Sequence, residues 1–331
     1  MRKDARLLML FGSLFALPAL ACAAFAPRIP DAGPLPTAQG EVTAQDCPDN
    51  RGKIVNSYDS MDRSGVNYGL YLMNPDGSDR KLITSPEEIH AMEPTWAPDR
   101  CRVAYKSFTK AGNDDIYVIT ADGESVSQLT TGPAWESSPD WSPQGERISF
   151  RSDRTGTWNL FVMNADGSNV QQVTDYTEGI VGWQTWSPAG DEIAFSYDLA
   201  AGDGIREGIF GIRPDGTGLH QLVRFDGDNS AVEPAWSPDG NTLYFISNKA
   251  GNLDIWAVNS DGTNPRQISD WPDEYEYTHS LRVSPDGTQL VFYGIGPGIE
   301  EYREEIWVIN TDGSGLKNIT LSPGNDQWLD W

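Results

Sequence analysis

Apolar residues in this chain fall in short runs and never in a sustained helical period. Typical runs are Ile116–Thr120, Ile148–Phe150, Leu243–Phe245 and Ile255–Asn259, all rich in β-branched and aromatic residues. Gly, Pro, Asp and Asn bound each run. Runs of this kind read as strands with turn punctuation, and the missing 3.6-residue period predicts almost no helix.

The runs recur in a repeating unit. A unit opens on P-x-W-S-P-D-G, passes through two strand-like runs, reaches an x-D-G turn and ends near I-T or L-T. The Asp-Gly pairs of this turn begin at Asp76, Asp122, Asp166, Asp215, Asp261 and Asp312, spaced 46, 44, 49, 46 and 51 residues apart. The tryptophan marker keeps step as Trp96-Ala97-Pro98-Asp99, Trp141-Ser142-Pro143-Gln144, Trp186-Ser187-Pro188-Ala189 and Trp236-Ser237-Pro238-Asp239, then weakens to Val283-Ser284-Pro285-Asp286. Pro presets φ, Asp and Ser accept turn amides, and Gly takes positive φ. The x-D-G sequence makes a tight hairpin. One four-stranded sheet cannot bury both faces, whereas a ring of sheets can. The prediction is an all-β, six-bladed β-propeller of four-stranded antiparallel blades.

The sixth marker is split between the ends of the repeat region. Leu329-Asp330-Trp331 supplies its strand, and Cys47-Pro48-Asp49-Asn50 matches S-P-D-G. The C-terminal strand should therefore complete the first blade, closing the ring and removing open edges.

These repeats resemble the WD40-like repeats of TolB-type propellers over about 47–331. The resemblance implies the fold and leaves function open, because one fold hosts many functions. TolB itself carries a further domain before its propeller, whereas here a short tether precedes the repeats. The same propeller type also accompanies serine hydrolase domains in prolyl-oligopeptidase-like enzymes, and no such domain is read here.

The N-terminus adds a targeting reading. Arg2, Lys3 and Arg6 precede Leu7–Ala21, which is apolar apart from Ser13. Residues 1–21 read as a signal peptide, so the chain is expected to be exported. Leu17–Cys22 resembles a lipobox with Ala19 where Leu is usual, making Cys22 a lipidation candidate. An ordinary cut after Ala21 or Ala26 is the alternative, and both stay open: a cell-envelope lipoprotein, or a secreted or periplasmic protein. Residues 22–46, rich in Ala, Pro and Gly, read as a flexible tether. Cys47 and Cys101 form an expected disulfide, since export permits one; two free thiols at strand edges is the alternative.

Formal net charge is −24. That excludes nucleic acid and anionic lipid as direct partners, leaving membrane attachment only to an N-terminal lipid, and it favours cationic partners. No G-x-S-x-G, P-loop or H-E-x-x-H occurs, the histidines are His90, His220 and His279, and no Cys/His set suggests zinc. No cofactor or metal is expected. Asp226, Asp228 and Glu233 lack EF-hand spacing and read as a solvated acidic loop.

Strand alternation puts the short W-S-P-D-G and x-D-G turns on one face and the long, varied loops on the other. The long-loop face is acidic and aromatic. Of the 12 tryptophans, those in the repeat slot are core, whereas Trp135, Trp183, Trp271 and Trp328 lie outside it. With Glu93, Glu136, Glu233, Tyr275, Tyr277 and His279 they are the candidate binding residues. Aromatics of this kind anchor peptides, cations or sugars, or pack loops onto blades. The expected function is a non-catalytic platform for a protein or peptide. The alternatives are a carbohydrate-binding module, or a lyase or hydrolase using Glu93, Glu233 and His279 as acid–base groups.

Overall fold

The computed structural model describes residues 47, 49–59, 68–84, 90–108, 112–198, 208–224, 230–270, 276–295 and 303–331. The signal peptide, Cys22, the tether, Trp271 and Tyr275 lie outside them, and of Tyr277 only the backbone is described. Every regular element among them is a strand. Blade 1 holds β1 (Ile54–Asp59), β2 (Tyr68–Met73) and β3 (Lys81–Leu82). Blade 2 runs β4 (Ala91–Trp96), β5 (Arg102–Phe108), β6 (Asp114–Thr120) and β7 (Val126–Gln128). Blade 3 runs β8 (Glu136–Trp141), β9 (Arg147–Ser152), β10 (Asn159–Asn164) and β11 (Gln171–Gln172). Blade 4 runs β12 (Ile180–Trp186), β13 (Ile193–Asp198), β14 (Gly208–Ile212) and β15 (His220–Val223). Blade 5 runs β16 (Ala231–Trp236), β17 (Thr242–Ser247), β18 (Asp254–Asn259) and β19 (Arg266–Gln267). Blade 6 runs β20 (Glu276–Val283), β21 (Gln289–Ile295), β22 (Glu305–Asn310) and β23 (Lys317–Asn318), and β24 (Asn325–Asp330) follows. Each blade is a four-stranded antiparallel sheet, and β24 joins blade 1 in the order β24-β1-β2-β3.

Ring closure follows the split marker. β24 pairs antiparallel with β1, with Val55 opposite Asp330 and Asp59 opposite Asn325. Asn56 Nδ2 donates to the buried Asp326 Oδ1 at 2.7 Å, and Arg80 pairs with the same carboxylate. The seam therefore carries a buried charged link besides its ladder.

Six apolar clusters fill the six blade interfaces. The repeat tryptophans Trp96, Trp141 and Trp186 are buried within them. Arg100, Arg102 and Arg147 respectively lie over their rings at 5.5, 4.8 and 5.0 Å, close enough for cation–π attraction. Trp96 Nε1 donates to Lys53 O of blade 1, and Trp186 Nε1 to Asp140 O of blade 3. These tryptophans are interface core, as their slot in the repeat implies.

The turn chemistry also crosses interfaces. Ser314 N and Oγ donate to Asp312 Oδ1 at 2.9 and 2.6 Å, fixing the x-D-G turn. At Gly123, φ is +86°, and an added Cβ would lie 2.5 Å from Ile83 O of blade 1. Glycine is required there twice, by its own backbone and by the blade behind it. The I-T ending holds the short outer strands: Thr84, Thr130, Thr174, Ser269 and Thr320 Oγ accept N–H groups of their own blades' third strands at 2.7–2.9 Å. A disulfide joins Cys47 to Cys101, 54 residues away, with Cα atoms 5.5 Å apart. It ties the segment before β1 to the turn before β5.

Deleting Gln327–Trp331 should abolish cooperative folding, because it exposes one face of the blade 6 interface and one edge of β1. A circular-dichroism melt matching the intact chain would contradict this closure. Replacing Cys47 and Cys101 by Ser should lower stability by roughly 4 kcal/mol on the chain-entropy account of a loop this long, read as a lower urea midpoint.

Candidate functional site

The inner strands share an irregularity. Register shifts fall between Met92 and Thr95, Ser137 and Asp140, Val181 and Gln184, Val232 and Ala235, and His279 and Arg282. At or beside each bulge is the residue three before the tryptophan slot. Glu93, Ser138, Glu233 and Ser280 take φ of 52–53° there, and Trp328 takes 38°. A left-handed non-glycine residue costs on the order of 1 kcal/mol or more, and such strain gathers where side chains must be aimed. Here it rings the axis. A recess is lined by Glu93, Ser138, Trp183, Ser280 and Trp328, with Gln184 and Arg282 beside them. Its walls come from blades 1, 2, 3, 4 and 6.

The carboxylates in this ring bridge blades. Glu93 Oε2 accepts Ser137 Oγ at 2.8 Å and Ser138 N at 2.6 Å, both from blade 3. Its Oε1 pairs with Lys106 Nζ at 2.9 Å, and Lys106 also reaches Asp114 at 3.4 Å. Burial opposes the Glu93 charge, but the charges of Lys106 and Arg151 and the hydrogen bonds outweigh it and hold the carboxyl below its ordinary range. Glu233 repeats the arrangement three blades on, halfway round the ring. It accepts Ser280 N of blade 6, and its Oε1 meets His279 Nδ1 at 2.9 Å.

The tryptophans differ in their support. Arg151 lies 5.3 Å from the Trp183 ring and 5.4 Å from that of Trp158. Arg151 Nη1 donates to Val181 O and Nη2 to Ser137 Oγ, so one half-buried cation holds an indole against the wall. Trp328 meets Tyr68 edge-on at 5.2 Å and Tyr293 at 6.4 Å, and Tyr293 neighbours His279 at 5.6 Å.

The structure thus gathers Glu93, Trp183 and Trp328 around one recess, with Glu233 and His279 beside it. It does not bring Trp135 and Glu136 there. Trp135 packs near Phe108 at 5.9 Å. Glu136 is 2% exposed and bonds Ser152 and Arg154 at 3.1 and 2.8 Å. Both are placed in blade packing. Lys106, Arg151, Gln184 and Arg282 were not foreseen. Lys106 and Arg151 come from second strands, where nothing in the repeat distinguishes them. The three-before-tryptophan position was readable as a fixed slot in the repeat.

Residues 107–199 match the TolB beta propeller domain family. An uncharacterized protein of Agrobacterium fabrum is 33% identical over 54% of this chain and 61% of its own length. An uncharacterized peptidase of Bacillus subtilis is 29% identical over 51% of this chain, and a TolB homolog of Chlorobium luteolum is 30% identical over 45%. The chain spans only 32% of each of these two. TolB from Acinetobacter baumannii superposes with a TM-score of 0.71 at 20% identity, over 84% of this chain and 66% of that one. A putative TolB from Agrobacterium tumefaciens gives 0.61 at 19% identity, over 82% and 90%. An oligogalacturonate lyase in complex with manganese gives 0.58 at 15% identity, over 82% and 74%. At these identities the superpositions speak for the fold alone.

His279 carries a pH dependence of its own. Burial lowers its pKa, but the hydrogen bond and charge of Glu233, with the charge of Glu304, raise it above the ordinary value. A raised folded pKa gives stability that is present below the unfolded value and lost as pH rises through the folded one. Glu233→Gln should drop the His279 midpoint below that of an ordinary histidine, followed by the NMR shift of its ring Cε1 proton. An unmoved midpoint would show that Glu233 is not the controlling partner.

Proposed function

From a TolB-like six-bladed propeller with a narrow aromatic recess on its axis, we propose an exported, non-catalytic platform for a protein or peptide partner at the cell envelope. The observation that carries this is the recess itself. Its lining of two indoles and two serines offers a contact surface to one side chain or chain end set against its rim. Trp183 and Trp328 line it and are only partly buried, and half-exposed indoles braced from behind are effective anchors. The carboxylates around it are already engaged by Lys106, Ser137, Ser138 and His279. They hold blades together, and the chain's net charge of −24 favours a cationic partner. Export rests on the N-terminal sequence, with Cys22 the candidate for a lipid.

A second reading is a propeller lyase or hydrolase. The Glu233–His279 contact of 2.9 Å favours it, because a carboxylate-oriented imidazole is a ready general base. The Bacillus subtilis relative is named a peptidase, and one structural neighbour is a lyase.

The full-length protein should retain a specific protein from envelope extract. Trp183→Ala and Trp328→Ala should each weaken that complex by roughly tenfold or more while melting normally. Retention of glycan but no protein would favour the carbohydrate alternative. Turnover of a substrate, lost in Glu233→Gln, would replace the platform reading with the enzymatic one.

A further inference from the structure

Two residues beyond the bulge, the inner strands bring two carboxylates within reach of one hydroxyl. Thr95 Oγ1 lies 3.4 Å from Asp140 Oδ1 and 3.2 Å from Asp330 Oδ2. A hydroxyl has one hydrogen, so it cannot donate to both. The remaining bonds are fixed. Asp140 Oδ2 accepts Trp186 N at 3.1 Å, Asp330 Oδ2 also accepts Trp96 N at 2.7 Å, and Asp330 Oδ1 accepts Arg282 Nε at 3.2 Å. Among the described residues, Arg282 pairs with Asp330 and not with Asp140. With both carboxyls ionised, one oxygen pair would face Thr95 without a hydrogen between them, and the Asp140 charge would have no cation in contact. A half-buried charge beside a second carboxylate, with no cation of its own, takes up a proton instead.

We infer that Asp140 is a proton-binding switch on the propeller axis. Its Oδ1–H donates to Thr95 Oγ1, and the Thr95 hydrogen goes to Asp330 Oδ2, whose charge Arg282 balances. The proton comes from water and returns to it, and no other bond changes. The completed chain braces blades 3, 2, 1 and 6, and Asp330 lies on the closing strand β24. Losing the proton cuts the brace between blades 3 and 2.

The surrounding charges are accounted for. Nearer the mouth, Glu93 is paired with Lys106 and Glu233 with His279. Arg100 adds positive charge near Asp330 while bonded to Trp331 O at 2.9 Å. Burial pushes the Asp140 carboxyl up, Arg282 opposes, and the Asp330 charge adds to the rise, to about 7 from an ordinary 3.8. The sign follows from a folded pKa raised above the unfolded one. The contribution of the brace is complete below about pH 4 and is lost as pH rises through about 7. Within that window the ring should loosen on the alkaline side. The closing strand that carries Asp330 also carries Trp328 of the recess, so the switch sits beside the proposed binding site without depending on that role.

The test is a pair of measurements on the full chain. In Asp140→Asn, the amide N–H reproduces the proposed donor to Thr95 and the amide oxygen still accepts Trp186 N. Wild-type melting temperature should fall between about pH 5 and pH 8. The Asn variant should lose that fall apart from the His279 contribution, separated by repeating both melts in a Glu233→Gln background, and should melt above wild type at the alkaline end. Separately, NMR of protein with 13C-labelled Asp carboxyls should show one Asp titrating near neutrality. That signal should be absent in Asp140→Asn, or shifted in Thr95→Val if the amide variant does not fold. A wild type in which every Asp carboxyl titrates below about pH 5, or an Asn variant with an unchanged pH slope, would overturn the assignment.

Discussion

A four-stranded blade has two apolar faces and no means of covering either alone. Everything else in this molecule answers that constraint. Each face is buried by the next blade, so six interfaces must form together, and the last can form only if the two ends of the repeat region meet in one sheet. The pairing of β24 with β1 is thus the contact on which all six apolar clusters depend. The Asp326 links gather at the same seam. That is where they act most effectively, because a ring opens at its closure.

Apolar burial is non-directional and does not by itself set the angle between blades. Directional contacts do so at three radii. At the outside, each x-D-G turn sits against a carbonyl of the preceding blade. Midway, tryptophan Nε1 groups reach back one blade at Lys53 and Asp140. At the axis, Glu93, Asp140, Glu233 and Asp330 each accept an N–H from the following blade. The innermost set is made of carboxyl groups drawn partly or wholly out of water, so it is also the set most sensitive to solution conditions.

Sequence periodicity made the fold legible, because turn residues and tryptophans repeat for reasons that are local to each unit. Blade number, strand order and closure all followed from the spacing of Asp-Gly pairs and the divided marker. The site was only partly legible. Glu93, Trp183, Glu233 and Trp328 were recognisable as departures within or beside the repeat, and the ring brings them to its axis. Lys106, Arg151 and Arg282 were not, since their meaning lies in which blade they face across the channel. Trp135 and Glu136 stand apart from the recess, because Phe108 packs near the indole and Arg154, just past the end of β9, pairs with the carboxylate.

The bulge in each inner strand has a broader meaning. A residue standing out of the ladder has no cross-strand partner to satisfy, so pairing places little restriction on its identity. Glu, Ser and Trp all occupy that slot here, at nearly the same backbone angle in four of the cases. The propeller therefore separates its frame from its inner lining. The frame is set by the repeat, while the lining of the axis can be rewritten one blade at a time, which lets one architecture present many different surfaces around an unchanged hole.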